Sequence, residues 1–171
     1  MFDPELLQAA SELGETLKAR GWMLATAESC TGGLIAAACT EIPGSSQWFD
    51  RGFVTYSNAA KTELLGVPPE LITKHGAVSQ EVVEAMAHGA VARSTAQVSI
   101  AISGIAGPGG GSVDKPVGTV WLGLGATTVI HTQQLHITGT RAQVRIESTI
   151  TAITLLKQFV INKPTLQLHH S

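Results

Sequence analysis

The strongest constraint on the fold is an alternation of two patterns along the chain. Short apolar stretches, which are typical of strands, alternate with longer stretches whose apolar residues recur at helical spacing. Strands are expected at residues 22–27, 52–57, 97–102, 117–125 and 128–137, the last two as a candidate hairpin, and helices at 4–20, 31–40, 58–65, 68–76, 79–92 and 140–160. This order of elements predicts a three-layer α/β/α sandwich with a mixed, mostly five-stranded sheet.

The length and the apolar composition predict one domain that associates with copies of itself. At 171 residues the chain can bury one core, so residues 1–161 are expected to form a single domain and residues 162–171 a disordered tail. Hydrophobic residues make up 44% of the chain and charged residues only 14%. Because a subunit interface would cover the surplus apolar surface, we expect a homodimer or a higher homo-oligomer.

Charge, hydropathy and cysteine spacing argue against several classes of function. The 11 lysines and arginines are scattered and the net charge is −2, so no nucleic acid partner is expected. No apolar run approaches the ~20 residues that a membrane span needs, and the amino terminus has no positively charged leader, so we expect a cytoplasmic protein without a membrane partner. Cys30 and Cys39 have neither disulfide-framework nor zinc-ligand spacing, which predicts no metal site and fits a reducing compartment.

The first candidate site is the segment Ala-Glu-Ser-Cys-Thr-Gly-Gly at residues 27–33, between a predicted strand and a predicted helix. Ligands of open α/β sheets collect at such strand ends, and unpaired amides at the start of the helix could hold an oxyanion or a phosphate. The alternative is a helix capped by serine or threonine, with glycines that serve only for packing.

Two side chains of this segment compete for the role of nucleophile. Ser29 needs a nearby base, whereas a helix N-terminus would lower the pKa of the Cys30 thiol, and the pattern does not choose between them. Cys30 is equally typical of inert, buried packing. Glu28 could act as an acid or a base, or could interact with the helix dipole.

The second candidate site, which follows the predicted strand at 52–57, contains Tyr56 and Lys61. Lysine serves as general base in Ser-Lys variants of the catalytic triad, and desolvation beside a serine would suit it to that role. The alternatives are a half-buried strand residue for Tyr56 and a solvent-exposed surface residue for Lys61.

A glycine-rich loop and a pair of arginines indicate a site for an anionic ligand. The segment 103–112 contains five glycines, whose amides could approach a ring or an anion closely, but it matches neither the Walker nor the dinucleotide-binding pattern. Arg141 and Arg145 lie near the start of the last predicted helix, where a cation opposes the macrodipole and an anion should compensate. That anion could be a substrate phosphate, or the carboxylate of Glu147 or of another residue in an ordinary surface ion pair.

Taken together, these segments carry a family resemblance that covers almost everything from Leu6 to Phe159. The shared motifs are AESCTGG at 27–33, PGSSQWFDRGFVTYSNAAK at 43–61, HGAVS at 75–79, SGIAGPGGG at 103–111 and KPVGTV at 115–120. With these motifs in this order, the chain resembles the CinA carboxy-terminal domain family, whose stand-alone members are nicotinamide-nucleotide amidases.

The resemblance implies hydrolysis of the carboxamide of nicotinamide mononucleotide, a small-molecule nucleotide, to nicotinate mononucleotide and ammonia in pyridine-nucleotide recycling. Ser29 would attack the amide carbon, backbone amides at 30–32 would hold the oxyanion, and Lys61 with Tyr56 would move the protons. The implied substrate-binding residues are Glu28, Cys30, Thr31, Gly32, Gly33, Ser103, Gly104, Gly107, Gly109, Gly110 and Arg141, the last for the phosphate. No metal and no organic cofactor is implied, since a nucleophile, a base and an oxyanion hole can cleave an amide.

Two other functions remain compatible with the sequence. One is a nucleotide-binding module that has kept the pocket without the chemistry. The other is an amidase for a different phosphorylated amide. Ammonia release from a panel of amides separates all three.

Overall fold

The computed structural model describes residues 2–162, in which six α-helices surround a five-stranded sheet. The strands are β1 (Leu24–Glu28), β2 (Phe49–Val54), β3 (Val98–Gly104), β4 (Thr119–Ala126) and β5 (Val129–His136). The helices are α1 (Pro4–Arg20), α2 (Leu34–Glu41), α3 (Asn58–Leu65), α4 (Pro69–His75), α5 (Gln80–Ala92) and α6 (Arg141–Asn162), with a short 3₁₀ turn at Ser45–Gln47.

The sheet is mixed, and its parallel part positions the site. Its strand order is β2-β1-β3-β4-β5, where β1 runs parallel to both β2 and β3, while β4 and β5 are antiparallel to their neighbours. The chain therefore leaves β1 for β2 on one side and returns past it to β3 on the other. In sheets of this kind, ligands bind beyond the carboxyl ends of the strands, where the strand order reverses.

Helices cover both faces of the sheet, which confirms the predicted three-layer α/β/α class. Helices α1, α2 and α6 pack together on one face, and α3, α4 and α5 on the other. Each face has its own buried apolar cluster, one centred on residues such as Leu13, Trp48 and Leu156, the other on Val83, Met86 and Ala101. All five residues of β1 are buried, as expected of a central parallel strand covered on two sides.

Two predicted elements are misplaced. Helix α2 begins at Leu34 and not at Thr31, because Gly32 and Gly33 have φ values of +61° and +98° that keep this part of the chain in a turn. Strand β2 spans Phe49–Val54 and not 52–57. The remaining strands and helices lie within two residues of their predicted bounds.

The carboxyl-terminal tail was predicted to start at residue 162, but Asn162 is still part of α6. The rest of that predicted tail, 163–171, lies outside the described residues. Within residues 2–162, no helix has the length and apolar character needed to cross a membrane.

Candidate active site

A cavity of about 230 Å³ lies at the carboxyl edge of the parallel strands. It is lined by Ser29, Cys30, Tyr56, Lys61, Ala77, Val78, Ser103, Gly104, Ala106 and Arg141. These residues follow or end β1, β2 and β3, or belong to the segment after α4 and the start of α6. Five separate stretches of sequence therefore meet where the topology predicts a ligand.

Ser29 occupies a tight turn directly after β1. Its amide donates to the Ile102 carbonyl oxygen on β3 at 3.0 Å, and its own carbonyl oxygen accepts from the Gly32 amide at 3.0 Å. The second bond closes a four-residue turn from Ser29 to Gly32. The Ser29 side chain is held at the cavity wall by backbone bonds on both sides.

The amine of Lys61 lies beside the Ser29 hydroxyl. Its Nζ donates to Ser29 Oγ at 3.1 Å, to the Thr55 carbonyl oxygen at 2.9 Å and to the Tyr56 carbonyl oxygen at 3.3 Å. The Ser57 hydroxyl caps α3 by accepting from the Ala60 amide, which places Lys61 in the first turns of that helix. With only 1% of its surface exposed, Lys61 is not the solvated surface residue of the alternative interpretation.

Burial lowers the pKa of Lys61, because an amine removed from water disfavours its charged form. Within residues 2–162, no carboxylate forms an ion pair with it. The neutral amine can accept a proton from the adjacent hydroxyl, so the pair has the geometry of a nucleophile with its base.

Cys30 lines the same cavity, but burial raises the pKa of its thiol to about 11. The sequence argument for a lowered thiol pKa at a helix start is wrong here, because α2 begins only at Leu34. With this pKa the Cys30 thiol stays protonated near neutral pH, and a protonated thiol is a much poorer nucleophile than a thiolate. The geometry therefore favours Ser29 over Cys30.

Glu28 is a buried cap for α2. Its carboxylate accepts five hydrogen bonds, from the hydroxyls of Thr26 and Thr31 and from the amides of Gly33, Ile35 and Ala36. The expectation of free amides at this helix start is wrong, because the protein supplies its own anion to them. Glu28 is also absent from the cavity lining.

Tyr56 and Arg141 meet at the cavity. Arg141 Nη2 donates to the Tyr56 hydroxyl at 3.3 Å, and Nη1 donates to the Gly107 carbonyl oxygen at 2.9 Å. Tyr56 is 62% exposed, so it is not the half-buried strand residue of the alternative interpretation. Within the described residues, its hydroxyl bonds to Arg141 and to neither Ser29 nor Lys61.

The glycine-rich loop contributes fewer wall residues than expected. Ser103 lines the cavity and donates to the Ala77 carbonyl oxygen at 2.8 Å, and at Gly104 a Cβ would lie 2.7 Å from the Val120 side chain. The predicted binding residues that do not line the cavity are Glu28, Thr31, Gly32, Gly33, Gly107, Gly109 and Gly110. Gly107 instead holds Arg141 through its carbonyl oxygen.

The sequence argument missed several functional contacts. Ala77, Val78 and Ala106 form wall surface, although the first two belong to the shared motif at 75–79, which was one available signal. Arg145 was expected to pair with a phosphate or with Glu147. It instead donates to the carbonyl oxygens of Cys30 at 3.1 Å and Thr31 at 2.9 Å.

Comparison with known proteins shows similarity in sequence and in fold. The model of the CinA C-terminal domain family matches residues 6–160. A Pseudomonas putida protein is 53% identical over 157 residues, covering 92% of this chain and 98% of its own, and one from Enterobacter agglomerans is 50% identical over 164 residues, covering 95% and 100%. Both are named nicotinamide-nucleotide amidohydrolase PncC.

A solved structure, the competence/damage inducible protein CihA from Agrobacterium tumefaciens, superimposes with a TM-score of 0.90. It is 44% identical, and the match covers 95% of this chain and 99% of that one. Similarity over nearly the whole length, in sequence and in fold, shows that this chain belongs to the CinA C-terminal domain family.

Proposed function

We propose that this chain is an amidase that hydrolyses the carboxamide of nicotinamide mononucleotide to nicotinate mononucleotide and ammonia. The observation that carries the proposal is the Ser29 hydroxyl 3.1 Å from the amine of the buried Lys61, at the wall of a cavity. Support comes from relatives at 50% identity that are named nicotinamide-nucleotide amidohydrolase. A role in pyridine-nucleotide recycling, in the cytoplasm, is part of the same proposal.

In the first step, Ser29 Oγ attacks the amide carbon while neutral Lys61 takes the hydroxyl proton. A C–O bond forms and the carbonyl π electrons move to the oxygen, which needs hydrogen-bond donors as its charge develops. The Gly32 amide is bonded to the Ser29 carbonyl oxygen and is not available as one. We assign the oxyanion to the amide of Cys30, the cavity residue that follows the nucleophile.

In the second step, the C–N bond breaks and the Lys61 ammonium returns its proton to the leaving nitrogen, which departs as ammonia. Water then attacks the acyl ester on Ser29, again with Lys61 as base, and releases nicotinate mononucleotide. One amide and one water give one carboxylic acid and one ammonia. A nucleophile, a base and an oxyanion hole suffice for each of these steps.

The phosphate of the substrate binds Arg141 in this proposal. Arg141 is exposed, and its contacts with Tyr56 and Gly107 hold the guanidinium at the cavity. The Tyr56 hydroxyl lies by Arg141 and not by Lys61, which supports substrate orientation rather than the proton transfer expected from the resemblance. Both groups can bond to phosphate oxygens.

Ammonia release from nicotinamide mononucleotide tests the proposal. Ser29→Ala should lose turnover by about 10³-fold or more, because it removes the atom that attacks, while product binding is retained. Ser46→Ala is the matched control at an exposed serine outside the cavity lining and should keep activity within about threefold. Free nicotinamide, which lacks the phosphate, should not be hydrolysed.

Three results would contradict the proposal. Normal turnover by Ser29→Ala would reject the nucleophile. Tight binding of the mononucleotide without ammonia release at any pH would indicate a binding module. Ammonia release only from another phosphorylated amide would indicate a different substrate.

A further inference from the structure

The turn that carries Ser29 is held from outside the cavity by Arg145. Its Nε donates to the Cys30 carbonyl oxygen at 3.1 Å and its Nη2 to the Thr31 carbonyl oxygen at 2.9 Å. Arg145 is partly buried and is not among the residues that line the cavity. Its contacts are therefore with the backbone of the nucleophile turn.

These bonds orient consecutive peptide groups. The Ser29 carbonyl accepts from the Gly32 amide, and the next two carbonyls, of Cys30 and Thr31, accept from Arg145. In a planar trans peptide the C=O and the following N–H point in opposite directions, so a fixed carbonyl also fixes an amide. The Cys30 amide, which we assign to the oxyanion, lies in the first of these three peptides, whose carbonyl accepts from the Gly32 amide. Arg145 in turn fixes the Gly32 amide, because it binds the Thr31 carbonyl of the same peptide.

The position and pairing of the Arg145 charge support a specific role at the turn that carries Ser29. It lies in the first turns of α6, where a cation opposes the helix dipole. Within residues 2–162, no carboxylate forms an ion pair with it. The Glu28 carboxylate binds the same turn through the Thr31 hydroxyl and the Gly33 amide, so a buried carboxylate and a guanidinium both hold it.

We infer that Arg145 is a positioning residue for the reaction, and that it acts through the Cys30 and Thr31 carbonyls without touching the substrate. It holds the Ser29 hydroxyl and the Cys30 amide in the geometry needed for attack. The inference rests on the proposed function for its reaction. It differs from phosphate binding, which belongs to Arg141.

The experiment compares kcat with the dissociation constant of the product, nicotinate mononucleotide, in matched arginine variants. Arg145→Met should lower kcat by about 100-fold, the cost of a small misplacement of reacting groups, and leave the product dissociation constant within about twofold. Arg145→Lys keeps the charge but loses the planar fork that places two nitrogens on two carbonyls, and it should have an intermediate kcat. Arg141→Met should instead raise the dissociation constant about tenfold or more, since it loses a charged hydrogen bond to phosphate.

A second measurement does not depend on the substrate. A fluorophosphonate probe labels an activated serine: the Ser29 Oγ–P bond forms, the P–F bond breaks, fluoride leaves and Lys61 takes the hydroxyl proton. Intact-mass spectrometry should show labelling about 100-fold slower in Arg145→Met. The control Arg51→Met should stay within about threefold of wild type, because Arg51 donates to Asp50 and to the Arg93 carbonyl oxygen and does not line the cavity. Circular dichroism confirms that each variant is folded, and Arg145→Lys replaces Arg145→Met if the latter is not.

The outcomes separate the two proposals. Wild-type kcat and labelling in folded Arg145→Met would overturn the positioning role, and a raised product dissociation constant with unchanged kcat would assign Arg145 to the phosphate instead. A wild-type protein that is labelled at Ser29 but releases no ammonia would reject the proposed function, and the labelling rates would still decide the role of Arg145. Wild-type protein without turnover or labelling would overturn both.

Discussion

Lys61 is a lysine whose surroundings are carbonyl oxygens and a hydroxyl. The carbonyls of Thr55 and Tyr56 accept from its amine, and neither carries a full negative charge that would hold the amine protonated. Burial then decides the balance and lowers the pKa of the amine. The proposed reaction depends on this balance, because only the neutral amine can take the proton of Ser29.

The lowered pKa predicts the pH dependence of the reaction. The rate should rise with pH as Lys61 loses its proton, with a midpoint below about 10.4, the ordinary value for lysine. Lys61→Arg should be inactive at every pH, since a guanidinium stays protonated. The measurement is kcat/KM against pH, and an active Lys61→Arg variant would show that another group is the base.

Stability offers an independent measurement of the same shift. Between the lowered pKa in the folded state and about 10.4 in the unfolded state, the unfolded chain binds more protons at Lys61. The free energy of unfolding should therefore rise with pH across that interval. Lys61→Met should remove this rise in urea titrations, and an unchanged slope would mean that the pKa of Lys61 is not shifted.

Residue type determined which parts of the site could be predicted. Ser29 and Lys61 stood out because a hydroxyl beside glycines and a lysine after a strand are recognisable chemistry. The contacts of Arg145 and Glu28 could not be predicted, because their partners are largely backbone groups that every residue type presents. Only the fold brings those backbone groups within reach.

At the scale of elements, β2 shows how side-chain preference can misplace a strand. Phe53 to Tyr56 have strand-forming side chains, but Thr55 and Tyr56 leave the strand and turn their carbonyls to Lys61. Gly52 has a weak strand preference but lies inside β2. The position needs a residue without a Cβ, because a Cβ there would be 2.9 Å from the Thr26 hydroxyl oxygen. The predicted strand at 52–57 included Gly52, but it missed residues 49–51 at the start and added residues 55–57 at the end.

The packing of α5 against α3 predicts that a glycine-to-alanine substitution in a helix will lower the free energy of unfolding, where such a substitution normally raises it. Glycine to alanine inside an exposed helix normally stabilises by about 1 kcal/mol. At Gly89 in α5, however, a Cβ would lie only 2.1 Å from the carbonyl oxygen of Leu65, the last residue of α3. Gly89→Ala should therefore lower the free energy of unfolding by about 1 to 3 kcal/mol, measured by urea denaturation.

The control for this substitution is on the adjacent residue of the same helix. His88 is exposed, so His88→Ala should change the free energy of unfolding by no more than about 0.5 kcal/mol. If Gly89→Ala were as stable as wild type, α5 and α3 could not approach each other as closely at Gly89 as described.

For the whole molecule, the order of strand and helix patterns was enough to predict the architecture. The candidate hairpin of the last two strands is confirmed by the antiparallel pairing of β4 with β5. The position of β1 between β2 and β3 could not be predicted, since it depends on which face each connecting helix covers. That position determines which loops meet at the cavity.

A homodimer or higher homo-oligomer remains our prediction for the molecule in solution. Large apolar side chains are exposed at the end of β2 and in α3, with Val54 48% and Leu64 44% exposed. A second copy would remove such surface from water. Sedimentation equilibrium at micromolar concentration should give at least twice the mass of one chain, and a monomer at every concentration would reject the prediction.

The central position of β1 also bears on how the protein acquires activity. The nucleophile follows this strand. Its base Lys61 follows β2, and Ile102 of β3, which is far away in sequence, accepts the hydrogen bond of the Ser29 amide. Pairings between such distant segments form slowly during folding. A refolding chain would thus gain its enzymatic competence only when the whole parallel core is complete, and recovered turnover would mark the end of folding rather than its beginning.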